Sequence, residues 1–312
     1  MAVIRARLRR LLPGRAGASP VPAVSALTGA ALNPPAIEFT GPALGLIAGN
    51  GSFPKLFIEE AHKRGREVIA VCHRGETDPL VEGLVRSCTW IKVGELGKII
   101  DTFKRAGVKE VAMAGGITRV RLFGGVKLDA RGAQLLYRLK STKDDVIMRG
   151  IADELASEGI EVVPSTLFLN EALIREGVLT SSEPTEEELS DIAIGVAAIE
   201  AMSSQDIGQL VVVREGVVVA VEAVEGSDAA IRRGGELGGK GTVVVKYAKP
   251  TQDMRFDVPI VGRRTIETMI AVKARVLALE SGRCLVMDER DVVNLANQHK
   301  IAIVGCPPLL RL

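Results

Sequence analysis

Apolar β-branched runs alternate with amphipathic segments along this chain, and glycine turns punctuate them. The first such unit, LGLIAGNGSFP over 44–54, predicts a strand and a tight turn at Gly49-Asn50-Gly51, with a helix over Lys55–Arg64 after it. EVIAVCH (67–73), EVAMAGG (110–116) and IEVVP (160–164) read as further strands, with helices over Leu96–Ala106 and around Val146–Glu158 between them. Strands alternating with helices imply a parallel α/β sheet whose carboxyl ends line a ligand crevice.

The pattern changes near residue 178, where GVLTSSEPTEEE supplies a turn and then the acidic first turn of a helix. That helix reaches about Ser203 with Leu189, Ile192, Ala193, Val196 and Ile199 at helical spacing, so one face covers a core. LVVVR and VVVAVEA flank Glu215-Gly216, a hairpin signal. EGSDAAIRR opens a helix with Ser227 or Asp228 as candidate caps, and TVVVKY follows as a strand. Thr265–Leu279 reads as a helix, CLVMDERD and IAIVG (301–305) as closing strands, and 290–298 as the helix between them. The expected architecture is a Rossmann-like parallel-sheet domain over 43–178 and a second α/β domain with a mixed sheet over 179–312.

Residues 1–42 stand apart. Arg5, Arg7, Arg9, Arg10 and Arg15 come before any acid, Pro13, Pro20, Pro22, Pro34 and Pro35 are spread among and after them, and the first acid is Glu38. An organelle-targeting segment, a disordered tail and an upstream start all fit that composition. With 47% hydrophobic and 25% charged residues, the chain as a whole is globular in composition. A net charge of +2 and 3% aromatics argue against a nucleic-acid partner, electrostatically and by base stacking. Cys72, Cys88, Cys284 and Cys306 show no paired spacing, which predicts neither a zinc site nor a disulfide framework and makes a reducing cytosol the default. No apolar run approaches the ~18 residues of a membrane span.

Candidate chemistry concentrates between Glu222 and Pro259. Glu222, Glu225, Asp228, Asp253 and Asp257 alternate there with Arg232, Arg233, Lys246, Lys249 and Arg255, punctuated by glycines and divided by buried-strand runs. Carboxylates and cations converging in glycine-rich loops suit metal-assisted phosphoryl or pyrophosphoryl chemistry. A solvated charged loop is the plainer alternative. In the first domain, Gly49, Asn50 and Gly51 could bring backbone amides to a phosphate at a helix start. A dinucleotide fingerprint fails there, because Pro54 occupies the third glycine position and Cys72-His73 ends the second strand without an acid. Asp144 and Asp145 suit the first turn of a helix capped by Ser141 or Thr142, or a place at a cation or ribose.

Taken together, LGLIAGNGSFP, KDDVIMRG, QDIGQLVVV, VEGSDAAIRR, KPTQDMRFDVPIVG and IAIVG resemble the LpxI family over residues 44 to about 306. The resemblance implies two α/β domains, with UDP-2,3-diacylglucosamine bound between them. It implies Mg2+- or Mn2+-dependent hydrolysis of the pyrophosphate to UMP and 2,3-diacylglucosamine 1-phosphate. On that reading Asp228, Asp253 and Asp257 hold metal or activate water. Arg255 and Lys249 clamp the phosphates, Gln252 orients them, and Glu225 supports the acids. Gly49, Asn50, Gly51, Pro54, Asp144 and Asp145 lie on the substrate side. Such a substrate implies cytoplasmic work with transient contact at the inner membrane face, and leaves homodimerisation open. Three departures from the family pattern are Asn50, within a turn that is often a glycine triplet, Gly116-Ile117-Thr118-Arg119, where a lysine-containing segment is usual, and Lys143-Asp144-Asp145, where Gly-Asp-Asp is expected and both acids are kept. A non-catalytic nucleotide-sugar binding protein and, less readily, a Rossmann-type oxidoreductase are the competing readings.

Overall fold

The structure is a computed structural model; it describes residues 41–117, 127–140, 144–203, 205, 207–249 and 252–308. The basic amino-terminal segment through residue 40, Thr118-Arg119 and the candidate caps Ser141 and Thr142 lie outside the described residues.

In the first half, β1 (Leu44–Ala48), α1 (Phe53–Lys63), β2 (Val68–His73), β3 (Ser87–Ile91), α2 (Leu96–Arg105), β4 (Glu110–Ala114), α3 (Ala130–Leu139), α4 (Asp144–Ser157) and β5 (Glu161–Val162) follow in order. The strands form one parallel sheet in the order β3-β2-β1-β4-β5. All six residues of β2 are buried, as a strand covered on both faces requires. One covering helix is α2, whose Leu96, Ile99, Ile100 and Phe103 recur at helical spacing and are all buried. The chain leaves β1 toward β2 on one side and returns to β4 on the other, so the switch point opens between the carboxyl ends of β1 and β4.

The second half comprises β6 (Gly177–Val178), α5 (Glu186–Ser203), β7 (Leu210–Arg214), β8 (Val217–Val221), α6 (Ser227–Gly238), β9 (Val243–Lys246), β10 (Ile260–Val261), α7 (Arg263–Ala271), β11 (Val276–Glu280), β12 (Leu285–Val286), α8 (Glu289–Gln298) and β13 (Ala302–Cys306). Its six-stranded sheet runs β6-β13-β11-β9-β7-β8, with β9, β11 and β13 parallel and the other pairings antiparallel, while β10 and β12 form a separate parallel pair. The α/β class and the parallel and mixed sheets agree with the sequence reading. Glu215 and Gly216 both take positive φ, as the hairpin between β7 and β8 demands.

Two expectations are corrected. The helix expected over Thr265–Leu279 ends at Ala271: Lys273 adopts φ 57 and Val276–Glu280 becomes the fully buried strand β11. The cap of α6 is Gly226 at φ 84 and makes no side-chain capping bond, so neither Ser227 nor Asp228 performs that role.

The two halves meet through the loop that follows β9. Met254, Val258 and Ile260 join the hydrophobic cluster that holds Phe53, Phe57 and Ala48, whereas Phe256 turns to the cluster on the other face, beside Met148 and Ile151 of α4. Ser165 donates its backbone N–H to the Arg255 carbonyl at 3.0 Å. The segment read from sequence as a charged loop is thus also an apolar wedge between domains.

Candidate active site at the domain seam

At the switch point the ends of β1 and β4 touch backbone to backbone. Gly49 N–H donates to Ala114 O at 2.8 Å and Asn50 N–H to Gly116 O at 2.7 Å. A Cβ at Gly49 would sit 2.4 Å from Gly116 O, and one at Gly115 would sit 2.4 Å from Asn50 O, so glycine is required for this approach. The first two amides of the turn are therefore committed to β4, and any phosphate-binding amides must come from Gly51 onward. Pro54 is buried near the start of α1, where its missing N–H removes a donor that the helix could not use internally.

Asn50 points sideways: its Nδ2 donates to Glu76 Oε2 at 3.1 Å. Glu76 is an acid that the sequence reading did not place, because it follows β2 by three residues and does not end it. The loop is held by Thr77, whose Oγ1 donates to Ala48 O at 2.7 Å, and His73 Nδ1 lies 2.9 Å from the same carbonyl. Burial pushes the His73 imidazole below its ordinary value, favouring the neutral ring.

Helix α4 feeds β5 and starts at the carboxyl edge, which places Asp144 and Asp145 on the crevice side of the sheet. Asp145 Oδ2 lies 3.4 Å from Arg149 Nη2 in the next turn. Across the seam, Asp253 binds Arg255 with both carboxylate oxygens, at 2.7 Å to Nη2 and 3.0 Å from Oδ1 to Nε. The Arg255 guanidinium, aided more weakly by Arg149, holds the Asp253 carboxyl below the usual carboxylate range. Arg255 also lines a cavity of about 670 Å3 with Arg66, Lys109, Glu110, Asp153 and Glu161. These residues lie at or beside the amino ends of β1, β4 and β5, so the cavity is at the opposite edge from the switch point. In this structure the Arg255 guanidinium is paired with Asp253.

A depressed folded-state value means that the Asp253–Arg255 pair stabilises the fold above the ordinary carboxylate pKa of about 3.9, and that this is lost as pH falls through the folded value. Asp253→Asn should therefore melt below the parent chain at pH 7, and the gap should close as the pH is taken below about 4. Thermal melts across that range check this; a gap that stays constant would contradict it.

Gln252 is buried and braces the same loop. Its Nε2 donates to Gln209 Oε1 at 3.2 Å and to Asp257 O at 3.0 Å, while its Oε1 accepts the Lys249 N–H at 2.8 Å. The Asp257 side chain is exposed. Asp228 lies in the first turn of α6, with Arg264 Nε 2.7 Å from its Oδ2. Glu225 accepts Arg233 Nη2 at 2.6 Å and the Ala223 N–H at 3.1 Å.

What unites these loops is Lys246, at the end of β9 and only 5% exposed. Its Nζ donates to Ser227 Oγ at 3.1 Å and to Ile260 O at 2.9 Å, and Ser227 Oγ donates to Glu222 Oε1 at 3.0 Å. Lys246 thereby ties the turn carrying Asp228 to the segment carrying Asp257. Sequence reading counted it among the cations of the stretch and gave it no role. Lys246→Met keeps the aliphatic stem and removes the tie; turnover should fall about 10²-fold, the scale of a displaced reacting group. Steady-state kinetics beside a thermal melt test this, and unchanged kcat would remove the role.

Among the described residues, no three His, Cys, Asp or Glu side chains converge to hold a metal ion. Asp228, Asp253 and Asp257 are therefore not assembled as a three-carboxylate cage, and Arg255 engages both oxygens of Asp253. The looser arrangement that Mg2+ adopts on phosphate substrates uses one or two carboxylates, with phosphate oxygens and water completing it. Lys246 links the loops that carry Asp228 and Asp257 through Ser227 Oγ and the Ile260 carbonyl.

These features define a two-domain α/β protein in which a parallel sheet and a mixed sheet share an acid- and arginine-rich seam. Residues 43–172 match the LpxI N-terminal domain and residues 175–304 the LpxI C-terminal domain. The UDP-2,3-diacylglucosamine pyrophosphatase LpxI of Caulobacter vibrioides is 32% identical over 276 residues, spanning 85% of this chain and 98% of that protein. The chain belongs to the LpxI family. Among solved structures, the biotin carboxylase domain of Hydrogenobacter thermophilus 2-oxoglutarate carboxylase aligns at 10% identity over 58% of this chain and 38% of that one, with a TM-score of 0.25. The biotin carboxylase of Campylobacter jejuni aligns at 12% identity over 63% and 42%, with a TM-score of 0.26. Overlap that low defines neither fold nor activity.

Proposed function

We propose that this chain hydrolyses the pyrophosphate bond of UDP-2,3-diacylglucosamine, releasing UMP and 2,3-diacylglucosamine 1-phosphate. The observation that carries the reading is the match along nearly the full length of the Caulobacter vibrioides pyrophosphatase, through both domains. The uridine nucleotide goes to the switch point, where Gly49 and Gly115 keep the strand ends close and Asn50 and Glu76 offer polar groups to a ribose. The diphosphate extends toward Lys249 and the turns of Asp228 and Asp257.

Gln252 and Lys246 fix these turns relative to one another. Asp253 acts by holding Arg255 and the interdomain wedge in place. Asp228 and Asp257 would hold Mg2+ or Mn2+, which when bound supplies charge neutralisation and a more acidic water. The carboxylates themselves accept the proton that an attacking water sheds, with Glu225 keeping the approach to α6 in register.

The acyl chains of the substrate place the reaction at a membrane surface, reached from the cytoplasmic side by transient contact. No described helix is long and apolar enough to cross a membrane. Chromatography of the protein incubated with UDP-2,3-diacylglucosamine tests the reading: UMP should accumulate with Mg2+ and stop with a chelator. UDP binding without UMP would make this a binding protein instead, and UMP formation indifferent to chelator would remove the metal.

A further inference from the structure

Cys72 on β2 and Cys88 on β3 are 16 residues apart in sequence, yet their Sγ atoms lie 3.0 Å from one another. Both project from the same face, since Ala70 pairs with Cys88 and Cys72 is two residues further along β2. Cys72 is 0% exposed, whereas Cys88 is partly open to solvent. We infer that Cys72 and Cys88 form a reversible intramolecular disulfide on oxidation by a peroxide, a covalent modification site separate from the hydrolytic seam.

The bond requires the sulfurs to close by about 1 Å, to a length near 2.05 Å. β3 is the edge strand of its sheet and pairs with β2 as its only neighbouring strand, so it can shift as the diagonal placement of the two cysteines requires. Cys88 is the attacking group because it is the one partly open to solvent. In the first step the Cys88 thiolate attacks one peroxide oxygen and the O–O bond breaks, giving the sulfenic acid and, with one proton, water. In the second the Cys72 sulfur, losing its proton, attacks the sulfenic sulfur; the S–S bond forms and a second water leaves. Each sulfur gives up one electron in total and the peroxide takes both. The other two cysteines stay out of this chemistry. Cys284 and Cys306 are completely buried, and burial pushes each thiol up to about 12. The new bond would sit one residue from His73, whose ring meets the Ala48 carbonyl beneath the crevice turn.

The test treats the reduced full-length protein with hydrogen peroxide, denatures and alkylates it, and maps the peptides by mass spectrometry. The expected product is a monomer with the Cys72 and Cys88 peptides joined, two hydrogens lighter than the reduced pair and restored by dithiothreitol, while Cys284 and Cys306 are recovered alkylated. Cys88→Ser should abolish that product. Recovery of Cys72 and Cys88 both alkylated, a sulfinic or sulfonic Cys88 without a link, or a link between two chains would each overturn the inference; the measurement on the unaltered chain stands whether or not the variant folds.

Discussion

Asp228→Asn is expected to lower UMP release by about 10³-fold, the scale seen when a single charge-stabilising group is removed from an active site. The same change should move the melting point by only a few degrees. Its stabilising roles are small: the partner Arg264 is 80% exposed, and exposed ion pairs contribute at most about 1 kcal/mol. A negative charge in the first turn of a helix adds about 0.3–1 kcal/mol. Those two contributions are all that a purely structural Asp228 would provide, so parallel kinetics and melts separate the roles. A variant that melts a few degrees lower and keeps its activity would make Asp228 a helix-dipole residue and remove it from the site.

Gly49→Ala should act the other way round, through the fold. The added methyl group would meet Gly116 O at 2.4 Å and the Gly115 carbonyl carbon at 2.6 Å, both backbone atoms that cannot rotate away. Relief requires the ends of β1 and β4 to part, at a cost of about 1–3 kcal/mol for overpacking of this kind. The hydrogen bonds from Gly49 and Asn50 to β4 would lengthen, and UDP affinity should fall with them. Calorimetry of UDP binding and a thermal melt measure the two effects; a variant with parental stability and affinity would contradict the backbone geometry described for this crevice.

Much of the fold was legible because buried strands announce themselves by composition. VIAVCH, LVVVR and VVVK have few alternatives, and the Glu215-Gly216 turn fixes a hairpin by its chemistry. Ala274–Leu279 misled because an apolar run of that length suits a helix or a strand, and only its place between β9 and β13 decides. The candidate site was legible as a stretch and not as a geometry. Alternating charges between Glu222 and Pro259 marked out the loops proposed for the site. They did not show that Asp253 and Arg255 would satisfy one another, nor that Met254, Phe256 and Val258 would make the same loop a wedge. Lys246, Glu76 and the Cys72–Cys88 contact depend on register and on which loops share a sheet edge, information held in tertiary structure alone.

Phosphorus NMR of the reaction is the most direct measurement of the central claim. With UDP-2,3-diacylglucosamine and Mg2+, the two coupled pyrophosphate resonances should be replaced by two phosphomonoester resonances of equal intensity, one from UMP and one from the sugar 1-phosphate. A spectrum that keeps its pyrophosphate signals, or that shows UDP released from the sugar by glycosidic cleavage, would contradict pyrophosphate hydrolysis by this chain.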